Sequence, residues 1–157
     1  MRVMVFGTFD NLHPGHLNYL WQARHFGAGL MEARKAGIKK VPLEMIAVIA
    51  RDKNVLLLKG RRPQQSEKQR AAQVRAAFKT AGWLGKAVLG SLADKWTVLK
   101  KYRPDFIGLG YDQKVDLKKL KEALASAGLF CKVKRLKPYQ PEKFKSSYYW
   151  KNGKRKD

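Results

Sequence analysis

The chain has 157 residues, of which 45% are hydrophobic, and this apolar content excludes a wholly disordered chain. It contains one cysteine, Cys131, which excludes an internal disulfide and a cysteine-cluster metal site. It carries 34 Lys and Arg against 12 Asp and Glu, and the resulting net charge of +22 favours binding of polyanions. No apolar run approaches the roughly 18 residues of a membrane span and no signal-peptide pattern is present, so we expect a cytoplasmic protein with no membrane partner.

The first third of the chain predicts two buried strands with a helix between them. The apolar run 2–6 predicts a strand, and residues 17–24 have apolar side chains at helical spacing. The segment 28–36 is compatible with a further helix, and Met45–Ala50 is the second apolar strand. The basic stretch 51–63 that follows is predicted to be a loop.

The rest of the chain predicts further helices and strands in alternation. Ser66 is expected to be the N-cap of a helix over 67–80, because a serine hydroxyl accepts a hydrogen bond from the first turn of a helix. The remaining predicted elements are, in chain order, strand 86–89, helix 92–102, strand 105–110, helix 117–127 and strand 129–136.

This alternation is typical of an α/β fold with a parallel sheet and right-handed crossovers. Ligands bind such sheets beyond the carboxyl ends of the strands, at the point where the strand order reverses. We expect one domain over residues 1–150, with residues 27–44 as an insertion and residues 151–157 as a disordered basic tail.

The residues with the clearest chemical potential follow the first strand, in the string Gly7-Thr-Phe-Asp-Asn-Leu-His-Pro-Gly-His16. His13 and His16 are three residues apart and are separated by Pro-Gly where a helix is predicted to begin. A helix N-terminus offers unpaired N–H groups and the positive end of a dipole, both of which suit phosphate, and imidazole N–H groups add further donors. The alternative is a capped turn that carries two surface histidines.

This string resembles the signature of the HxGH nucleotidyltransferase superfamily, which includes cytidylyltransferases and adenylyltransferases. The resemblance implies a Rossmann-like doubly wound sheet, here a parallel one of five strands, in a three-layer α/β/α arrangement. It also implies that a substrate phosphate attacks the α-phosphate of a nucleoside triphosphate and that pyrophosphate is released. The residues that it implies at the triphosphate are the catalytic His13 and His16 and the nucleotide-binding Gly7, Thr8, Phe9 and Gly15.

Further segments are similar to the archaeal-type FAD synthases within that superfamily, namely residues 50–55, 59–63, 87–91, 109–114 and 143–147. This resemblance implies that Lys59 is catalytic. The other site residues that it implies are Asp10, Arg61 and Arg62 at the acceptor phosphate and Gly110, Asp112, Lys145, Ser146 and Ser147 at the nucleotide.

Each of these segments also has an ordinary structural interpretation. The basic residues of 59–62 would clamp the charge of a triphosphate and an acceptor phosphate, or they would form a solvated loop. Asp112 would contact ribose or base, or it would belong to a simple turn after a strand. The two serines near the C-terminus would donate to phosphate or form a plain polar loop. Glu67 and Arg70 are spaced for an ion pair within one helix.

The sequence departs from the family in two places. Thirty-four residues lie between His16 and Arg51, more than the family usually has, and the extra stretch is expected to cover the acceptor site or to join a homodimer contact. Tyr148–Trp150 follow the two serines where the family tends to continue into a short helix. These aromatic side chains would stack on a flavin or adenine ring, or they would simply pack.

The sequence therefore predicts an FMN adenylyltransferase that makes FAD from ATP and FMN, with Mg²⁺ accompanying the triphosphate. A cytidylyltransferase that uses CTP and glycerol 3-phosphate, or a similar alcohol phosphate, is the alternative within the same class. A non-catalytic nucleic-acid-binding protein is the alternative from another class, because of the net charge of +22. For the enzyme, we expect only non-specific binding of nucleic acid.

Overall fold

The computed structural model describes residues 1–33 and 42–145, and within them helices connect successive strands as predicted, with one additional helix after the second strand. The strands are β1 (Arg2–Gly7), β2 (Glu44–Ile49), β3 (Gly85–Leu89), β4 (Phe106–Leu109) and β5 (Lys132–Arg135). The helices are α1 (Pro14–Ala33), α2 (Asp52–Lys59), α3 (Glu67–Thr80), α4 (Thr97–Tyr102) and α5 (Leu117–Ser126). No helix in this described part of the chain is long and apolar enough to cross a membrane.

The five strands form one parallel sheet in the order β3-β2-β1-β4-β5. At the centre of the sheet, Val5 of β1 pairs with Ala47 of β2 on one side and with Gly108 of β4 on the other. The order reverses between β1 and β4, so the switch point of this doubly wound sheet lies at the carboxyl ends of these two strands. The predicted fold class is confirmed.

The sheet is covered by helices on both faces, which makes three layers. One face packs against α1 and α3, and the buried side chains on that side include Val3, Val5, Leu20, Ala23, Val74 and Phe78. The other face packs against α4 and α5, and its buried side chains include Met4, Ile46, Leu99, Ile107, Leu120 and Leu124. Because β1 and β2 are buried on both faces, their sequences are nearly continuous apolar runs rather than alternating ones.

Residues 52–59 form helix α2, and the prediction of a loop over 51–63 is wrong for that part. Asp52 lies in the first turn and Lys59 in the last, where their charges complement the helix dipole. Gly60 ends the helix in a left-handed conformation, with a φ of 68°, and donates its N–H to the carbonyl of Leu56. Lys59 is therefore presented by the end of a helix and not by an irregular loop.

Helix α1 is a single helix that continues through Gly27 to Ala33. Gly27 allows α1 to lie close to the sheet, since a Cβ at this position would be 2.3 Å from the Cγ2 of Val3. The insertion predicted over 27–44 thus begins as a continuation of α1 and ends at the start of β2, while residues 34–41 lie outside the described part.

The start of helix α4 also differs from the prediction. Helix α4 begins at Thr97, and not at residue 92, because Ser91 and Asp94 side chains accept backbone N–H groups in a turn over 91–96. Ser66 is the N-cap of α3 as predicted, and it forms a capping box with Gln69.

Candidate active site

The HxGH turn, residues Gly7–His16, lies at the switch point between the end of β1 and the start of α1. Phe9 folds back against Gly7, so that a Cβ on Gly7 would be 2.7 Å from the Phe9 ring. The Phe9 side chain is 1% exposed and packs between the rings of His16 and Tyr19. The Phe9 ring thus packs beneath the turn, and the predicted contact of Phe9 with a nucleotide stays a prediction.

Hydrogen bonds to the segment before α3 hold the turn in place. Phe9 and Asn11 both have left-handed backbone conformations, with φ values of 53° and 48°. The carboxylate of Asp10 accepts the N–H groups of Gln64 at 2.8 Å and of Gln65 at 3.0 Å, and the N–H of Asn11 donates to Oε1 of Gln65 at 2.9 Å. Asp10 is 4% exposed and these bonds hold it within the turn, while its predicted contact with an acceptor phosphate stays a prediction.

The two histidines of the turn stack on each other at the start of α1. Their ring centroids are 3.8 Å apart and the rings are inclined by 25°. The N–H of Gly15 donates to Nδ1 of His13 at 3.1 Å, and the N–H of His13 donates to Nδ1 of His16 at 3.4 Å. Because Nδ1 accepts in both rings, these hydrogen bonds assign the neutral-ring proton to Nε2 in both.

Burial makes the histidines neutral. It lowers the pKa of His13, and it lowers the pKa of His16 to about 3, with smaller contributions from the neighbouring charges of His13 and Lys59. Near pH 7 the site therefore presents two imidazole N–H donors without a cationic ring. Such donors suit a site where negative charge develops on phosphate oxygens.

The lowered pKa of His16 has a measurable consequence for stability. The unfolded chain binds a proton near pH 6.5 but the folded chain only near pH 3, so the free energy of unfolding falls as the pH drops through this range. This contribution is at most about 1.4 kcal/mol per pH unit. We expect His16→Gln to lose less stability than the wild type between about pH 6.5 and about pH 4.5 in urea unfolding. Parallel pH dependences in the two proteins would contradict a buried neutral His16.

Lys59, Arg61 and Arg62 form an exposed basic cluster at the end of α2, which we call the basic rim. All three are exposed, and they lie at the end of α2 and in the turn that follows it. Lys59 is close enough for its charge to lower the pKa of His16. The charge of Lys59 therefore acts on His16, although 42 residues lie between the two in the chain.

The loop after β4 reaches the other side of the switch point. Oε1 of Gln113 accepts the N–H of Gly110 at 3.0 Å, and its Nε2 donates to the carbonyl of Phe6. Arg135, at the end of β5, donates to the carbonyls of Gly110 at 2.6 Å and Gln113 at 2.9 Å. Gly110 is therefore held beside β1, and Asp112 lies exposed on the turn that begins there.

Tyr19 bridges the two strands directly beneath the switch point. Its hydroxyl donates to the carbonyl of Gly108 at 2.7 Å and accepts the N–H of Phe6 at 3.3 Å. Burial raises the pKa of this phenol well above its usual range, so it remains a neutral donor. The sequence did not predict that Tyr19, Gln113 and Arg135 hold the switch point. For Tyr19 the spacing was informative, because a residue three positions after His16 lies on the same face of the helix.

The segment that precedes the two serines lies against the HxGH turn. A Cβ on Gly15 would be 3.1 Å from the carbonyl oxygen of Phe144 and 2.9 Å from Cε1 of His13. The ring of Phe144 stacks on that of Tyr139, with centroids 5.9 Å apart. Lys145 follows and is exposed, whereas the predicted site residues Ser146 and Ser147 and the aromatic run 148–150 lie outside the described residues.

A doubly wound sheet with a paired-histidine turn at its switch point defines a nucleotidyltransferase. The family model described as cytidylyltransferase-like matches residues 4–152, and the chain belongs to this family.

Among its relatives, the FAD synthase of Methanosarcina barkeri is 40% identical over 135 residues, 86% of this chain and 82% of that protein. The FAD synthase of Methanosarcina acetivorans is 42% identical over 135 residues, 86% of this chain and 76% of that protein. Among solved structures, the lipopolysaccharide core biosynthesis protein from Thermoplasma volcanium matches with a TM-score of 0.70 and 30% identity, over 89% of this chain and 98% of that one.

Proposed function

We propose that this chain transfers the adenylyl group of ATP to FMN, producing FAD and pyrophosphate. The stacked pair of His13 and His16 at the switch point is the observation that supports a phosphate-transfer site, and burial, which lowers both pKa values, favours the neutral rings. The FAD synthases that are 40% and 42% identical over 86% of the chain support ATP and FMN as the substrates.

The reaction is an in-line displacement at phosphorus. An oxygen of the FMN phosphate forms a bond to the α-phosphorus of ATP, while the bond from that phosphorus to the α–β bridging oxygen breaks. The bonding electron pair leaves with pyrophosphate. No covalent enzyme intermediate is needed, so the protein acts by positioning the two substrates and stabilising charge.

The proposed roles follow the charges. His13 and His16 donate from Nε2 to the triphosphate, and Lys59 neutralises the charge that builds on the departing pyrophosphate. Arg61 and Arg62 hold the FMN phosphate, where a guanidinium is suited to paired hydrogen bonds. Together the two substrates carry about six negative charges, which Lys59, Arg61 and Arg62 would offset in this proposal.

Mg²⁺ belongs to this proposal as a part of the substrate, bound to the triphosphate. Among residues 1–33 and 42–145, no group of three or more His, Cys, Asp or Glu side chains is arranged to hold a metal ion. An ion that keeps several waters and binds phosphate oxygens does not need such a group. It would supply neutralisation of the triphosphate, and the chain's own residues would bind and orient that complex.

The nucleotide is proposed to extend from the HxGH turn toward the loop after β4. Thr8 and Gly15 contribute turn backbone, Gly110 allows close approach, and Asp112 contacts ribose or base. The carbonyl of Phe144 against Gly15 supports a place for Lys145, Ser146 and Ser147 near the triphosphate.

A screen of nucleotide and acceptor pairs tests the proposed function. Pyrophosphate release is measured with ATP or CTP against FMN, glycerol 3-phosphate and phosphocholine, and FAD is detected by chromatography. We expect release with ATP and FMN above all other pairs and none without an acceptor. Preference for CTP with an alcohol phosphate would replace the proposal by a cytidylyltransferase. Absence of release with every pair, together with salt-sensitive RNA binding, would favour the nucleic-acid-binding alternative.

Replacing Ser146 and Ser147 together by alanine is expected to weaken the use of ATP more than the use of FMN. Serine hydroxyls donate to phosphate, and the neighbouring residue Phe144 lies against the turn proposed to bind the triphosphate. The measurement is the KM for each substrate with the other saturating. A rise confined to the KM for FMN would place this loop on the acceptor instead.

A further inference from the structure

Arg70, in the first turn of α3, is an arginine with no exposed surface. A guanidinium removed from water is strongly destabilising unless it is paired and hydrogen-bonded. Four of its five N–H groups have acceptors: Nε donates to the carbonyl of Gln65 at 3.1 Å, Nη1 to the carbonyl of Thr8, and Nη2 to the carbonyl of Ala50 and to Oδ1 of Asp52, both at 2.7 Å. The ion pair predicted between Glu67 and Arg70 is wrong, since Arg70 pairs with Asp52.

Three of these acceptors lie on the two segments that carry the proposed chemistry, and the fourth, Gln65, lies just before α3. Thr8 begins the loop of the HxGH turn, and Ala50 directly follows β2. Asp52 is the first residue of α2, whose last residue is Lys59. One buried side chain therefore connects the histidine turn to the helix that presents the lysine.

A second set of bonds fixes the start of α2 against the start of α3. The N–H of Asp52 donates to Oε2 of Glu67 at 2.8 Å, and the N–H of Glu67 donates to Oδ2 of Asp52 at 3.3 Å. Nε of Arg51 donates to Oε1 of Glu67 at 3.0 Å. Each carboxylate thus accepts a hydrogen bond from the N-terminus of the other helix, where the dipole favours negative charge.

Apolar packing contributes little to the orientation of α2. Val55 is its one buried residue, while Leu57 and Leu58 are 75% and 86% exposed. An eight-residue helix is too short to be stable by itself. The polar bonds at its N-terminus must therefore hold much of its position.

We propose that Arg70 and Asp52 are positioning residues, which set where α2 places Lys59 relative to His16. The inference rests on the proposed function, in which Lys59 acts on the triphosphate. In this proposal the ion pair of Arg70 and Asp52 aligns helix α2 with the HxGH turn. Arg70 then acts through Lys59 and contacts no substrate.

The variants that test this are Arg70→Lys and Asp52→Asn, with Val74→Ala as the matched control. Lysine at position 70 keeps the charge, but a single ammonium group cannot reach all of the acceptors that the guanidinium contacts. Asparagine at position 52 removes the negative charge and replaces one carboxylate oxygen by an NH₂ group, which donates instead of accepting. Val74 lies four residues after Arg70 on α3, is also fully buried, and contacts neither loop through hydrogen bonds. If Arg70→Lys does not fold, Asp52→Asn serves in both of the following measurements.

The first measurement is hydrogen exchange of α2 without substrates. The amide of Val55, which donates to the carbonyl of Arg51 at 3.0 Å, reports on the start of the helix. We expect exchange over 52–60 to be about tenfold faster in Arg70→Lys and Asp52→Asn than in Val74→Ala. Exchange at the rate of the Val74→Ala control would overturn the proposal.

The second measurement is a double-mutant cycle on the kcat for FAD formation. With Lys59 present, Arg70→Lys is expected to lower kcat about tenfold or more, and in a Lys59→Met background by less than about twofold. Equal factors in the two backgrounds would show a role independent of Lys59 and would overturn the proposal. Absence of FAD formation by the wild type would refute the proposed function instead, and the exchange experiment would still decide whether Arg70 and Asp52 hold α2.

Discussion

Replacing His13 or His16 by alanine is expected to lower the kcat for FAD formation by about 10²–10³. Both rings are neutral, and their hydrogen bonds place the proton on Nε2, so each variant removes one preorganised donor from the proposed triphosphate site. The double variant should lose little more than the single ones, because the stacked rings act as a unit. Steady-state kinetics with saturating ATP and FMN provide the measurement.

His25→Ala is the control for this prediction. His25 lies on the same helix nine residues after His16 and stacks on Trp21, with centroids 3.7 Å apart. Its loss should leave kcat within about twofold of the wild type. Near-normal turnover in both His13→Ala and His16→Ala, with unchanged circular dichroism, would refute the mechanism.

Lys59→Met is expected to lower kcat and kcat/KM together, by about 10² or more, while the affinity for ATP falls only modestly. The substitution keeps much of the aliphatic stem and removes the charge. That charge matters most in the transition state, when negative charge builds on the bridging oxygen and the pyrophosphate. The measurement combines steady-state kinetics with calorimetric titration of ATP.

Two further variants make this prediction specific to position and geometry. Lys53→Met removes a charge from the same helix at its other end and should have little effect, because exposed charges are screened beyond about 8 Å at physiological salt. Lys59→Arg should restore activity only in part, since a planar guanidinium does not replace a compact ammonium. Equal losses from Lys53→Met and Lys59→Met would mean that only bulk positive charge is required.

The sequence predicted the sheet well because its central strands are buried on both faces. An apolar run such as that of β2 indicates a buried strand without any knowledge of the strands that pair with it. Ser66 indicates the start of α3 because its capping bonds involve only residues close to it in the chain. Helix α2 was missed because only one of its residues, Val55, is buried, so it has no apolar periodicity. Its N-terminus depends on Glu67, which belongs to another helix.

The site was predictable where it is contiguous in the chain. Spacing alone places His13 and His16 at a helix N-terminus beside the switch point. The bonds of Asp10 to Gln64 and of Arg70 to Thr8 were not predictable in this way, because more than 50 residues separate the partners and no local pattern indicates such pairs. In a sequence, a polar residue that stabilises a turn cannot be distinguished from one that binds a ligand, because the distinction depends on hydrogen-bond partners that are distant in the chain.

The exposed basic rim of Lys59, Arg61 and Arg62 has a consequence for how fast substrates arrive. Cations at the mouth of a site attract polyanions over a distance set by the ionic strength, so they raise the rate of encounter. In the proposed mechanism the histidines act after arrival and at shorter range, where burial shields them from the salt. Added potassium chloride should therefore reduce kcat/KM for ATP and FMN steeply and leave kcat nearly constant, so that the apparent specificity of the enzyme depends on the salt in which it works.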